Sequence, residues 1–226
     1  MQDFRAVMEL TKMILESLET GPIMENCFII ADENTKSGFV IDPGWDAVKI
    51  KKILDKHGIT DVKILLTHGH FDHTSNVAEL KKLTGAKVYM SAEDTFLLDS
   101  VGGSTALMMG MGNAEKFTPD EDIHDGDIFT AGEITLTALA TPGHTPGGVS
   151  FYDGKESVFV GDTLFDGSVG RVDFPRSDGR QLIESITKVL YKLPDNTIVR
   201  CGHGPDTTIG KEKRTNPFTR NPELLM

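Results

Sequence analysis

Within six positions, the stretch Thr67-His68-Gly69-His70-Phe71-Asp72-His73-Thr74 gathers three imidazoles and a carboxylate, directly after the apolar run Val62-Lys63-Ile64-Leu65-Leu66. The run reads as a buried strand and the segment from Asp72 onward as a helix. The polar groups therefore fall on the connecting loop at the strand's carboxyl end, where α/β sheets build binding sites. Neutral imidazole is a common ligand for zinc, iron and related metals, and an aspartate adds anionic charge. Any one of these histidines could be an idle surface residue. The group at this spacing is a metal signal in its own right.

The remaining chain supplies strands and helices in two halves. Residues 5–18 read as one or two strands, with Met13, Ile14 and Leu18 inward. Cys27-Phe28-Ile29-Ile30 is an apolar strand, Asp32-Glu33-Asn34 a hairpin turn, and Gly38-Phe39-Val40-Ile41 the return, ending at Asp42-Pro43-Gly44. Residues 46–57 carry Ala47, Ile50, Ile53 and Leu54 on one face, with Gly58 as the stop, and form a surface helix. Val77, Leu80 and Leu83 mark a second helix that stops at Gly85. Lys87-Val88-Tyr89-Met90 is the next strand, and a short helix fits residues 92–98. Residues 99–121, with Met108, Met109 and Met111, read either as a cover over a site or as methionines filling core gaps beneath an irregular loop.

Farther on, residues 134–140, 149–152, 157–160 and 197–200 are strands, and His124 is an exposed bystander. Leu182, Ile183, Ile186, Val189, Leu190 and Leu193 form one helical stripe closed by Pro194. Strands in two halves with helices between them argue for two sheets packed face to face and helices outside. The pattern alone leaves a single mixed sheet open. Neither a linker nor a repeat divides the sequence, so residues 1–226 read as one domain.

A formal net charge of -11 argues against a nucleic-acid partner, since phosphate binding needs a basic face. Cys27 and Cys201 form no C-x-x-C pair and suggest reduced thiols in a cytoplasmic protein. Cys201 reads as a small buried residue at a strand end. Glu9, Lys12, Glu16 and Glu19 interrupt every apolar run near the N-terminus, so no signal peptide is expected. No stretch approaches the length of a membrane span, and no membrane partner is expected.

His68-x-His70-x-Asp72-His73 resembles the signature of the metallo-β-lactamase fold, a superfamily of mostly hydrolytic, mostly two-metal enzymes. The later pieces follow in order: His144 in Thr141-Pro142-Gly143-His144-Thr145-Pro146-Gly147, Asp162 in Val160-Gly161-Asp162-Thr163-Leu164-Phe165, and His203 in Cys201-Gly202-His203-Gly204. The resemblance covers almost the whole chain; Asn76 stands where the family often has glycine. It implies a four-layer αββα sandwich of two mixed β-sheets with helices outside. It also implies two divalent metal ions, zinc first, with iron or manganese suited to the same donors. His68, His70 and His144 would bind one metal, Asp72, His73 and His203 the other, and Asp162 would bridge them. A hydroxide shared by the metals would attack a carbonyl carbon, with Asp72 and Asp162 as the catalytic carboxylates. Asp42 matches an aspartate that lies near the metals in that family; the alternative is a turn-forming residue before proline. Some relatives are ribonucleases, a branch the acidity disfavours. Asp162, where one lactamase branch has a thiolate ligand, disfavours that branch.

The segment around Asp162, followed by Gly170-Arg171, resembles hydroxyacylglutathione hydrolases (glyoxalase II), which hydrolyse a glutathione thioester. In those enzymes a cation matching Arg171 contacts the glutathione part, so Arg171 is a substrate-binding candidate; a surface pair with Asp173 is the plainer reading. Two departures stand out. Asp173 replaces the tyrosine that contacts glutathione, and only 23 residues follow His203, too few for that family's C-terminal helical domain. The chain is closer to the short bacterial glyoxalase II-like proteins, in which Gly170-Arg171-x-Asp173-Phe174-Pro175 is typical. The expected activity is thioester hydrolysis on a small-molecule substrate. The alternative is a persulfide dioxygenase holding a single iron through His68, His144 and Asp162.

Overall fold

The computed structural model describes residues 13–100 and 114–225. The first sheet contains β1 (Met13–Thr20), β2 (Glu25–Asp32), β3 (Ser37–Ile41), β4 (Asp61–Leu65), β5 (Lys87–Met90) and β6 (Glu121–Asp122), in that spatial order. β1, β2 and β3 pair antiparallel; β3 to β6 run parallel. Parallel neighbours need crossovers. Two of these are helical: α1 (Ala47–His57) joins β3 to β4, and the short α2 (Phe71–Thr74) with α3 (Val77–Thr84) joins β4 to β5.

The second sheet is ordered β14 (Thr207–Thr208), β13 (Ile198–Cys201), β10 (Ser157–Gly161), β9 (Val149–Tyr152), β8 (Ile134–Ala140) and β7 (Ile128–Ala131). A small hairpin, β11 (Leu164–Phe165) with β12 (Ser168–Val169), follows β10. Helices α4 (Gly179–Lys188), α5 (Ile209–Thr215) and α6 (Pro217–Arg220) complete the second half. None of the helices among the described residues is long and apolar enough to cross a membrane.

Side chains alternate across each strand, and both faces of the central strands are buried. Along β2, Cys27, Ile29 and Ala31 meet Ala47, Ile50 and Leu54 of α1 and Val77 and Leu80 of α3. The intervening Phe28 and Ile30, with Phe39, Ile41 and Leu65, face the second sheet through Leu136, Ala138, Phe151 and Phe159. The outer face of the second sheet, with Val158, Val160 and Val199, packs on Leu182, Ile186 and Leu190. Helix, sheet, sheet and helix are thus four layers held by three apolar clusters, as the resemblance implied.

Several local expectations need correction. Ile14 and Leu18 pack inward, but Met13 is 45% exposed at the start of β1. Leu83 lies on the solvent side of α3 at 43% exposure. The stripe from Leu182 to Leu193 is not one helix. α4 ends at Lys188, and a 3₁₀ turn over Leu190–Lys192 tightens the chain ahead of Pro194. The methionines at 108, 109 and 111 and the possible strand before Met13 lie outside the described residues.

Removing a side chain from the layer between the sheets should cost far more than removing one from an edge. Phe151→Ala is expected to destabilise by about 3–5 kcal/mol in urea unfolding, because Phe151 is fully buried. Ile128→Ala, at a position 66% exposed, should stay within about 0.5 kcal/mol. Similar losses for both would contradict this placement of the core.

Candidate metal centre

β8 and β9 are antiparallel, as are β9 and β10, while β10 and β13 are parallel. β8, β10 and β13 therefore point the same way and deliver His144, Asp162 and His203 to one end of the sandwich. Val149 donates its N–H to the Thr67 carbonyl, and Asn26 donates its N–H to the Gly202 carbonyl. The first bond ties the start of the histidine loop to β9 of the second sheet, and the second ties β2 to the exit of β13.

The seven expected donors meet there as two neighbouring groups. His68, His70 and His144 form one trio; Asp72, His73 and His203 form another. Within each trio the ligand atoms lie within 4.8 Å of one another. Asp162 stands between the trios, with Oδ2 3.6 Å from His144 Nε2 and Oδ1 3.3 Å from His73 Nε2 and 3.8 Å from His203 Nε2. His144 Nε2 faces His70 Nδ1 at 2.9 Å, and His203 Nε2 faces Asp72 Oδ2 at 3.2 Å.

Outward hydrogen bonds fix which ring nitrogen faces the centre. The Nδ1 atoms of His144 and His203 point to the carbonyls of Arg171 (2.7 Å) and Ile23 (3.2 Å). His73 Nδ1 lies 2.9 Å from Asp42 Oδ2. The same Asp42 oxygen accepts from the Thr67 hydroxyl at 2.6 Å, and that hydroxyl oxygen lies 3.0 Å from His68 Nδ1. One buried carboxylate therefore orients an imidazole in each trio. Asp42 has φ 50 immediately before Pro43, so it is both the turn residue and the supporting residue.

Three buried atoms, His68 Nε2, His73 Nε2 and Asp162 Oδ1, have no hydrogen-bond partner. Each orphaned atom would cost about 1–3 kcal/mol if left unsatisfied. All three point into the same space, and a Cβ on Gly202 would collide with Asp162 Oδ1 and crowd His73 Cε1. The donor set and its orphaned atoms fit a divalent metal pair.

The acidities of His68, His70, Asp72 and Asp162 point the same way. Burial, reinforced by His144, lowers His70 to about 4, and burial with the neighbouring imidazoles holds His68 well below its ordinary value. Burial opposes charge on Asp162 and Asp72, yet His73 and the other imidazoles outweigh it and hold both carboxyls below the usual range. Neutral imidazoles and ionised carboxylates are the forms that bind metal. Burial also opposes charge on His73, but Asp162 and Asp72 raise it well above the ordinary value. Cys201 is buried, and burial pushes its thiol up to about 12, which removes it as a nucleophile.

Sequence reading missed three residues. Asp94 accepts from Gly69 N–H (3.0 Å), the Thr145 hydroxyl (2.7 Å) and Gly147 N–H (2.6 Å), pinning the His70 and His144 loops together. Glu25 is fully buried, accepts from the Thr20 hydroxyl and brings Oε1 to 3.7 Å from His73 Nδ1. Phe174 walls the site, its ring 4.9 Å from that of His70 and 6.0 Å from that of His144. Arg171 is exposed and held by Asp173 in a two-point ion pair. His124 is exposed beside Asp122, away from the centre.

The model of the metallo-β-lactamase superfamily matches residues 20–203. The hydroxyacylglutathione hydrolase GloC of Haemophilus influenzae is 38% identical over 209 residues, which cover 91% of this chain and 98% of that protein. The crystal structure of the BLEG-1 B3 metallo-β-lactamase superposes with a TM-score of 0.82 at 34% identity, covering 91% of this chain and 99% of that one. TTHA1623 in a di-iron-bound form superposes with a TM-score of 0.80 at 37% identity, covering 90% and 99%.

Two measurements check this account of the centre. Asp42→Ala should weaken metal binding by about 10–100-fold in chelator competition, and unchanged affinity would remove Asp42 from its supporting role. In metal-free protein the His70 ring should titrate near 4, not near 6.5, in an NMR pH series.

Proposed function

The chain belongs to the metallo-β-lactamase superfamily, and on that premise we propose that it is a metal-dependent hydrolase of hydroxyacylglutathione-type thioesters. The observation that carries the metal-dependent reading is the pair of donor trios around Asp162, with three buried donor atoms left without partners. The similarity to GloC over nearly the full length of both chains supports the substrate class.

His68, His70 and His144 would hold one ion, Asp72, His73 and His203 a second, and Asp162 would contact both. Zinc is the first expectation, and the likeness to a di-iron protein keeps iron in view. When bound, such ions supply Lewis-acid polarisation of a carbonyl and a water acidic enough to ionise near neutral pH. The chain's own groups do the rest. Asp72, held ionised against burial by His73 and by its contact with His203, would orient the attacking water and receive its proton. The fixed imidazoles hold a preorganised polar environment around developing negative charge. Phe174, standing edge-on to His70 and His144, narrows access on that side.

The test is hydrolysis of S-lactoylglutathione by purified protein, with metal counted on the same sample and a β-lactam as the comparison substrate. Thioester hydrolysis with two metals per chain is expected. No hydrolysis, with one iron per chain and oxygen uptake on a glutathione persulfide, would replace this reading with the dioxygenase. Asp162→Ala should bring turnover below detection. His203→Ala should be severe as well, and near-normal turnover in that variant would overturn the two-metal mechanism.

A further inference from the structure

The segment between β12 and α4 carries two arginines that are used differently. Arg171 gives Nε and one terminal nitrogen to Asp173 at 3.0 and 2.8 Å and lies 4.6 Å from the centroid of the Phe174 ring. Its charge is matched. Arg176 has no carboxylate partner among the described residues. Its guanidinium lies 4.0 Å from the centroid of the Phe96 ring. Its backbone has φ 66, a left-handed conformation that non-glycine residues adopt rarely. Phe96 belongs to the 3₁₀ segment Ala92–Ser100, which also carries Asp94. The next residue, Ser177, donates its hydroxyl to the His144 carbonyl at 2.8 Å. The Arg176–Phe96 pair therefore joins the segments that brace the His70 and His144 loops, and Arg176 lies two residues along the chain from Phe174.

We propose that Arg176 recognises the anionic end of the substrate, receiving a carboxylate of the thiol carrier while the thioester carbonyl lies over the metal centre. The inference rests on the thioesterase reading above. A chain of net charge -11 repels anions at long range, so an anionic substrate needs a local cation at the rim. A guanidinium held over an aromatic ring, with no carboxylate partner, has N–H donors left for a two-point carboxylate contact. Arg171 already makes that kind of contact with Asp173, which leaves Arg176 as the unmatched charge on this segment.

The experiment compares metal-loaded wild type, Arg176→Ala and Arg176→Lys on two substrates. One is S-lactoylglutathione; the other is the uncharged S-lactoyl thioester of N-acetylcysteamine. Arg176→Ala should raise KM for the glutathione thioester about tenfold and leave kcat within about twofold, with Arg176→Lys in between. Turnover of the uncharged thioester should not change. Equal losses on both substrates would assign Arg176 a structural role and overturn the proposal. If wild type cleaves neither substrate, the thioesterase reading fails, and calorimetric binding of glutathione decides the role of Arg176. Binding about tenfold weaker in Arg176→Ala supports the role; equal or absent binding overturns it.

Discussion

The centre depends on one carboxylate that need not touch an ion. Asp42 accepts hydrogen bonds from the Thr67 N–H, the Thr67 hydroxyl and His73. Through Thr67 it also reaches His68. It sits where β3 ends, beside the parallel strand β4 whose exit begins the histidine loop. A left-handed backbone at a non-glycine residue costs on the order of 1 kcal/mol, and the three accepted bonds offset it. Because His68 belongs to one trio and His73 to the other, the two halves of the centre share a single support. A shift of Asp42 would turn both rings together.

The second constraint is topological. Three strands of the second sheet share a direction, so their exits cannot be moved independently. The parallel register that pairs Gly161 with Cys201 sets Asp162 and His203 side by side. Gly161 adopts φ 51, and a Cβ there would clash with Thr67 on the opposing sheet. The close approach of the two sheets at this end is thus written into small residues, while the chemistry is written into the residues that follow them. Asp94 adds the remaining tie across the site. It satisfies donors on both loops, and burial, which raises its carboxyl, is opposed by those bonds.

Most of the fold was legible because β2, β3 and β10 are buried on both faces and centre on apolar runs, and β4 keeps Val62, Ile64 and Leu65 buried around Lys63. The four motifs were legible because each lies within a few residues of a strand exit. Asp94 was not, since its partners are 25, 51 and 53 residues away and nothing local distinguishes it from an exposed helical acid. Glu25 was passed over because the strand was read as starting at Cys27; an acid at the mouth of a wholly apolar strand was the available signal. Leu83 and Met13 failed for a different reason. Apolar spacing identifies a face, but near the end of an element that face can run out beyond its neighbours into solvent.

The separation between core and centre has a thermodynamic consequence. None of the three apolar clusters includes a donor residue of either trio. Ions at the centre would give partners to buried donor atoms that the apolar layers leave unsatisfied. The energy of ion binding is therefore directed at ordering the loops after β4, β8, β10 and β13, and only secondarily at the global fold. Donors held by these supporting bonds are preorganised, and preorganisation is what lets fixed dipoles act on a developing charge without rearranging during the reaction. The same rigidity explains why the supporting bonds run to backbone carbonyls and buried carboxylates, which cannot swing away as exposed side chains can.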